Sequence, residues 1–150
     1  MSTESGIPDY RSAGVGLYAR SNHKPVQHQE FMKSKLARQR YWARNFTAWK
    51  TFSSFKPNQS HLILAEWEKQ GKISTLVTQN IDRLHKKAGT KSLVELHGTA
   101  YTVRCTNTEC NFRTDRHKFQ ETLLQLNPNL LVSVDDIRPD GDVNLPQVLA

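Results

Sequence analysis

Two short stretches decide the fold: Ile73-Ser-Thr-Leu-Val-Thr-Gln-Asn-Ile-Asp82 and Leu93-Val-Glu-Leu-His-Gly98. The first is compact and β-branched, which predicts a buried strand over 73–78. Polar Gln79, Asn80 and Asp82 follow it, and Asp82 can cap a short helix ending near Gly89. The second stretch predicts a strand over 93–96 that runs into His97-Gly98. Strand, short helix and strand outline a βαβ unit, whose two strands run parallel. Open parallel sheets bind ligands beyond the carboxyl ends of their strands. Gln79, Asn80 and Asp82 should therefore meet His97 on a shared rim.

Each of these residues also has a plainer reading. An imidazole suits a general base near neutrality, yet a single histidine is often structural. Asp82 could be only an N-cap, and Asn80 only a turn residue. Together they make an amide, a carboxylate and an imidazole available to one polar ligand.

Outward from this unit, His61–Gln70 reads as a helix, with Ser60 as its cap and Gly71 as its left-handed stop. From Glu30 to about Phe55, Trp42, Phe46 and Trp49 share one helical face opposite Lys33, Lys35, Arg38, Arg40 and Arg44. The stretch 1–18 reads as loop. Small hydroxyls and backbone N–H groups within Ser2-Thr3-Glu4-Ser5-Gly6-Ile7-Pro8-Asp9-Tyr10-Arg11 could face a phosphate, and Arg11 could pair with one. Downstream, Cys105 and Cys110 fit one knuckle of a zinc site, or two idle thiols. His117 is a weak third ligand. Residues 115–126 look helical and 127–150 read as loop.

The 150 residues suit an ordinary single domain. Lys and Arg number 21 against 14 Asp and Glu, a net charge of +7. That excess admits nucleic acid, an anionic membrane or a polyanionic cofactor. Nucleic acid is not the expected partner, because the cationic helix uses its aromatic face for packing. No stretch is apolar enough to span a membrane, and residues 1–12 do not read as a signal peptide.

The ordered set GIPDYRS (6–12), TQNID (78–82), ELHG (95–98) and a cysteine pair resembles the sirtuin family of NAD-dependent protein deacylases. RQRYWARNF (38–46) and IRPDGDV (137–143) resemble its mitochondrial branch. The resemblance implies an α/β fold: a partial Rossmann-type parallel sheet over 1–98, then the beginning of a small zinc-binding module over 99–150. It also implies NAD and zinc, acyl-lysine proteins as substrates, no membrane partner, and the mitochondrial matrix as compartment. Ser2 to Arg11 would form the cofactor loop, with Tyr10 near the nicotinamide ribose. Gln79, Asn80, Ile81 and Asp82 would hold the ribose and carboxamide, and Cys105 and Cys110 half of a structural zinc site.

In the implied reaction the acyl oxygen attacks C1′ of the nicotinamide ribose and nicotinamide leaves. His97 would then help deprotonate a ribose hydroxyl that attacks the imidate. ADP-ribosyl transfer is a second implied activity. The family's opening strand, its Gly-Ala-Gly turn and its second cysteine pair are not among these residues. The chain is therefore expected to be a piece truncated at both ends and inactive alone. The rival expectations are a non-catalytic piece that engages an acidic partner through its basic helix, and an oligomer sharing one zinc between chains.

Overall fold

The computed structural model describes residues 1–9 and 26–128. The chain divides into two compact units, Met1–Ile7 with Phe52–Phe119 and Pro8–Thr51 with Gln120–Ala150.

The second of these carries α1 (His28–Lys33) and most of α2 (Lys35–Ser54). The sequence predicted one helix here; Ser34 breaks it, with extended backbone at φ −108° and ψ 120°. Its hydroxyl accepts the Ala37 N–H at 3.1 Å and so caps α2, a local bond that competes with continuing the first helix. Arg38 Nη1 then donates to the Phe31 and Met32 carbonyls at 2.8 and 3.0 Å, near the end of α1. Phe46 and Trp49 are buried and Trp42 is half-buried, as the helical spacing predicted.

The first unit holds the βαβ element. Helix α3 (Gln59–Lys69) begins at Asn58, not at Ser60. Asn58 Oδ1 accepts the His61 N–H at 3.3 Å, and the Asn58 N–H reaches His61 Nδ1 at 3.4 Å, a reciprocal capping box. The helix starts two residues earlier than expected, at Gln59, so Ser60 already lies inside its first turn and Asn58 takes the cap position. Gly71 ends the helix at φ +74°, and the Gly71 and Lys72 N–H groups return to the Glu68 and Trp67 carbonyls, a Schellman stop.

Strand β1 (Leu76–Thr78) pairs in parallel with β2 (Leu93–Glu95), with Leu76 opposite Leu93 and Thr78 opposite Glu95. The connection contains α4 (Leu84–Lys87), whose Leu84 is fully buried. Both strands are shorter than predicted. Ahead of β2, Glu68 captures the Lys91 N–H at 2.9 Å and the Ser92 N–H with its other oxygen. Those two donors serve a helix side chain and not a neighbouring strand.

A hairpin of β3 (Thr102–Arg104) and β4 (Arg113–Asp115) follows, paired antiparallel. It was not anticipated, because strands of three residues, with Arg or Asp at exposed positions, carry no readable hydrophobic period. Helix α5 (Arg116–Leu126) matches its expected span. The α/β class and the parallel pair are as predicted.

Candidate functional site

The carboxyl ends of β1 and β2 carry a connected polar cluster. Asp82 is buried, at 5% exposure, and both of its oxygens are engaged. Oδ2 accepts the Ser2 hydroxyl at 2.7 Å and Oδ1 accepts the Leu84 N–H at 2.8 Å. The second bond spans two residues and opens α4 while the residue at the formal cap position, Arg83, adopts a left-handed backbone at φ 58°. Asp82 thus performs the capping its sequence position predicted, but as a turn-former one residue earlier.

The Ser2 hydroxyl also accepts from Asn80 Nδ2 at 2.9 Å. One hydroxyl therefore links the amide and the carboxylate, and ties the loop after β1 to a segment 80 residues away. Asn80 is further oriented by its own N–H, which donates to Thr78 Oγ1 at 3.1 Å. Thr78 and Asn58 are the supporting residues that sequence reading missed. Asn58, following Pro57 and three residues ahead of His61, did carry a capping signal.

His97 stands on the same rim. Its Nδ1 lies 3.1 Å from the Gln79 backbone carbonyl. A carbonyl can only accept, so Nδ1 carries the proton. That leaves Nε2 with its lone pair on an exposed ring. This is the tautomer a general base requires. Gln79 acts here through its backbone, and so does Ile81, whose carbonyl accepts the Ala100 N–H at 3.1 Å. Behind the rim, Glu95 approaches Lys86 Nζ at 3.0 Å and Arg83 Nε at 3.8 Å, which joins β2 to α4.

Ser2–Ser5 forms a 3₁₀ turn, not irregular loop. It closes through the Gly6 N–H to the Thr3 carbonyl at 3.0 Å and the Ile7 N–H to the Ser2 carbonyl at 3.3 Å. Gly6 is required twice over. Its φ is +95°, and a Cβ there would lie 2.9 Å from the Phe55 ring. Thr3 and Glu4 are exposed, Ser5 and Ile7 half-buried. Pro8 and Asp9 fall in the other compact unit. Tyr10 and Arg11 lie outside the described residues.

Beneath this turn sit two further histidines. His61 is fully buried and His85 is 5% exposed, with ring centroids 4.7 Å apart. Burial, then the neighbouring His85, lowers the pKa of His61, while Asp82 opposes the shift. Burial lowers that of His85, again against Asp82.

Cys105 and Cys110 lie on the loop joining β3 to β4, and both thiols are free. The Cys105 N–H donates to the Phe112 carbonyl and the Cys110 N–H to the Asn107 carbonyl, each at 3.1 Å, giving the loop a fixed backbone. Among the described residues no group of three or more His, Cys, Asp or Glu is placed to hold a metal ion. Exposed His117 stacks on Tyr101 at 5.9 Å. Two thiols are two of the four donors that a tetrahedral zinc site takes.

The whole arrangement can be set beside known proteins. Residues 1–140 match the Sir2 family. The chain belongs to that family. Among its relatives, the NAD-dependent protein deacylase Sirt4 of Drosophila melanogaster is 58% identical over 97% of this chain and 46% of its own length. The human NAD-dependent protein lipoamidase sirtuin-4, mitochondrial, is 52% identical over 98% of this chain and 46% of its own. These likenesses agree with the mitochondrial-branch resemblance of 38–46 and 137–143. The crystal structure of a Sir2 homolog–NAD complex superposes with a TM-score of 0.61 at 33% identity, covering 76% of this chain and 43% of that one. This Sir2-family chain thus has the Rossmann-like α/β fold and spans about half the length of the curated relatives it matches. Among the described residues no helix is long and apolar enough to cross a membrane.

Proposed function

We propose that the rim formed by Ser2, Asn80, Asp82 and His97 is the nicotinamide-ribose side of an NAD site in a protein-lysine deacylase. The observation that carries the reading is His97 Nδ1 lying 3.1 Å from the Gln79 carbonyl, on the rim that Asp82 and Asn80 occupy. NAD is a substrate here. Asp82 and Asn80, already oriented by Ser2 and Thr78, would hold the carboxamide and ribose. The Ser2–Arg11 loop would follow the rest of the dinucleotide. Nε2 of His97 would take the proton of a ribose hydroxyl as that oxygen attacks the acyl-derived carbon. ADP-ribosyl transfer would use the same rim.

On this reading residues 1–98 supply part of the nucleotide-binding domain and 99–150 part of a zinc-binding module. Cys105 and Cys110 would be two of the four structural zinc ligands, away from the chemistry. Acyl-lysine proteins are the substrates, and the mitochondrial matrix is the compartment, a reading supported by the mitochondrial names of the bovine and human relatives.

The first test is binding. Saturation-transfer NMR with NAD should show contact at the nicotinamide and ribose protons, weakened by Asn80→Ala and by Asp82→Asn. Equal transfer in both variants would refute the site. The second test is turnover. The 150-residue chain is expected to release no nicotinamide from NAD and an acylated peptide. Nicotinamide release would overturn the expectation of inactivity, and deacylation of the peptide that His97→Ala abolishes would establish the base.

A further inference from the structure

The 3₁₀ turn is gripped at two successive residues. Asn58 Nδ2 donates to the Met1 carbonyl at 2.7 Å, and Asp82 holds the Ser2 hydroxyl at 2.7 Å. The first grip belongs to the cap of α3, where Asn58 Oδ1 also lies 2.8 Å from His61 Nδ1. The second belongs to the entry of α4, where Asp82 also holds Leu84, the residue before His85. Between these two helix starts the His61 and His85 rings make a tilted contact, with 54° between their planes. Buried Nε2 of His61 and Nδ1 of His85 make no hydrogen bond among the described residues.

We propose that His85 is a proton-sensitive positioning residue for this turn. Neutral, it stacks on His61 and leaves Asp82 to Ser2. Protonated, it draws the Asp82 carboxylate to itself and loosens the turn at Ser2, where the Asn58 grip on Met1 does not reach. An imidazolium needs two acceptors, and a buried ring without them is disfavoured. The charge that acts on His85 is Asp82, whose Oδ1 holds the adjoining Leu84 N–H, while His85, Asp82, Glu4 and the terminal amine act on His61. Lys86 and Lys87 lie on the same helix but are exposed and engage Glu95 and the Ser53 and Phe55 carbonyls. Each oxygen of Asp82 already accepts one bond, so a charged third donor competes with the partners in place. The Ser2 hydroxyl is the partner able to rotate away, since the Leu84 N–H is fixed in the backbone of α4.

The direction in pH follows from burial. A histidine that is harder to protonate in the folded chain contributes its full stability above the unfolded value of about 6.5, and loses it as pH falls below that. Release therefore belongs on the acid side of neutrality. The turn is part of the loop assigned above to NAD, but the device rests only on contacts within the chain and is read without nucleotide.

Amide exchange on the 150-residue chain, expressed as protection factors, tests it. Between pH 7.5 and 5.5, Gly6 and Ile7 should lose protection roughly tenfold while Leu76 and Leu96 keep theirs. His85→Phe, which keeps the stacked ring and removes the proton site, should abolish that loss. No loss in the parent chain, or an undiminished loss in His85→Phe, would overturn the proposal. Should that variant fail to fold, the ring proton of His85 is followed by NMR in the parent chain. The Gly6 and Ile7 amide shifts are expected to share its midpoint, below 6.5; a different midpoint, or none, would overturn the proposal equally.

Discussion

The rim of the parallel pair and the tip of the β3–β4 hairpin lie in one compact unit, yet they are built in opposite ways. At the rim, hydrogen bonds join Ser2 to Asp82 and Asn80 across about half the chain's length. Asp82 is buried, and each polar group is oriented by another. At the hairpin tip the bonds are local, from Cys105 to Phe112 and from Cys110 to Asn107. There Cys110 is exposed and Cys105 half-buried, and no third metal-ligating group joins them among the described residues. The rim is assembled by tertiary packing before any ligand arrives. The tip offers ligands but needs further donors before it becomes a site.

The most severe way to break the rim is Gly6→Ala. The positive φ and the Phe55 ring both oppose a Cβ, so a loss of roughly 1–3 kcal/mol is expected in urea denaturation. Asp82→Asn comes next. It removes the charge from two hydrogen bonds and should cost about 1–2 kcal/mol, with loss of amide protection at Leu84.

Glu68 sharpens the contrast through pH. The backbone N–H of Ser92, then that of Lys91, lowers its pKa. A depressed carboxyl contributes stability above the unfolded value of about 4.3 and loses it as pH falls through the folded one. Glu68→Gln should therefore flatten the acid limb of the stability curve, without changing the curve near pH 7 in slope.

The smallest effects on stability belong to exposed groups. His97→Ala should change stability by less than about 0.5 kcal/mol while removing the proposed chemistry. Replacing Cys105 and Cys110 together by Ser should be equally mild in metal-free buffer. A large loss from the double Ser variant would erase the distinction between the two regions.

Several features were readable in the residues alone. The β-branched run before Gln79, the apolar run before His97 and the aromatic spacing of 42, 46 and 49 are periodic or compositional, so they announce their own geometry. The ordered motifs named the family because they join rare residue combinations in a set order. Local competition hid the rest. Ser34 splitting α1 from α2, Asn58 capping α3 in place of Ser60, and Glu68 taking the two N–H groups ahead of β2 each depend on one side chain reaching a particular backbone group.

By itself the sequence determined which chemical groups lie at the ends of the two strands, because a helical crossover between two strands sets them parallel. Only the tertiary structure decided that the Ser2 hydroxyl bridges Asn80 to Asp82, that Gln79 sets the tautomer of His97, and that His61 and His85 stack beneath the turn. Those contacts join residues far apart in the chain, and no local period or propensity encodes which distant donor a buried carboxylate will meet.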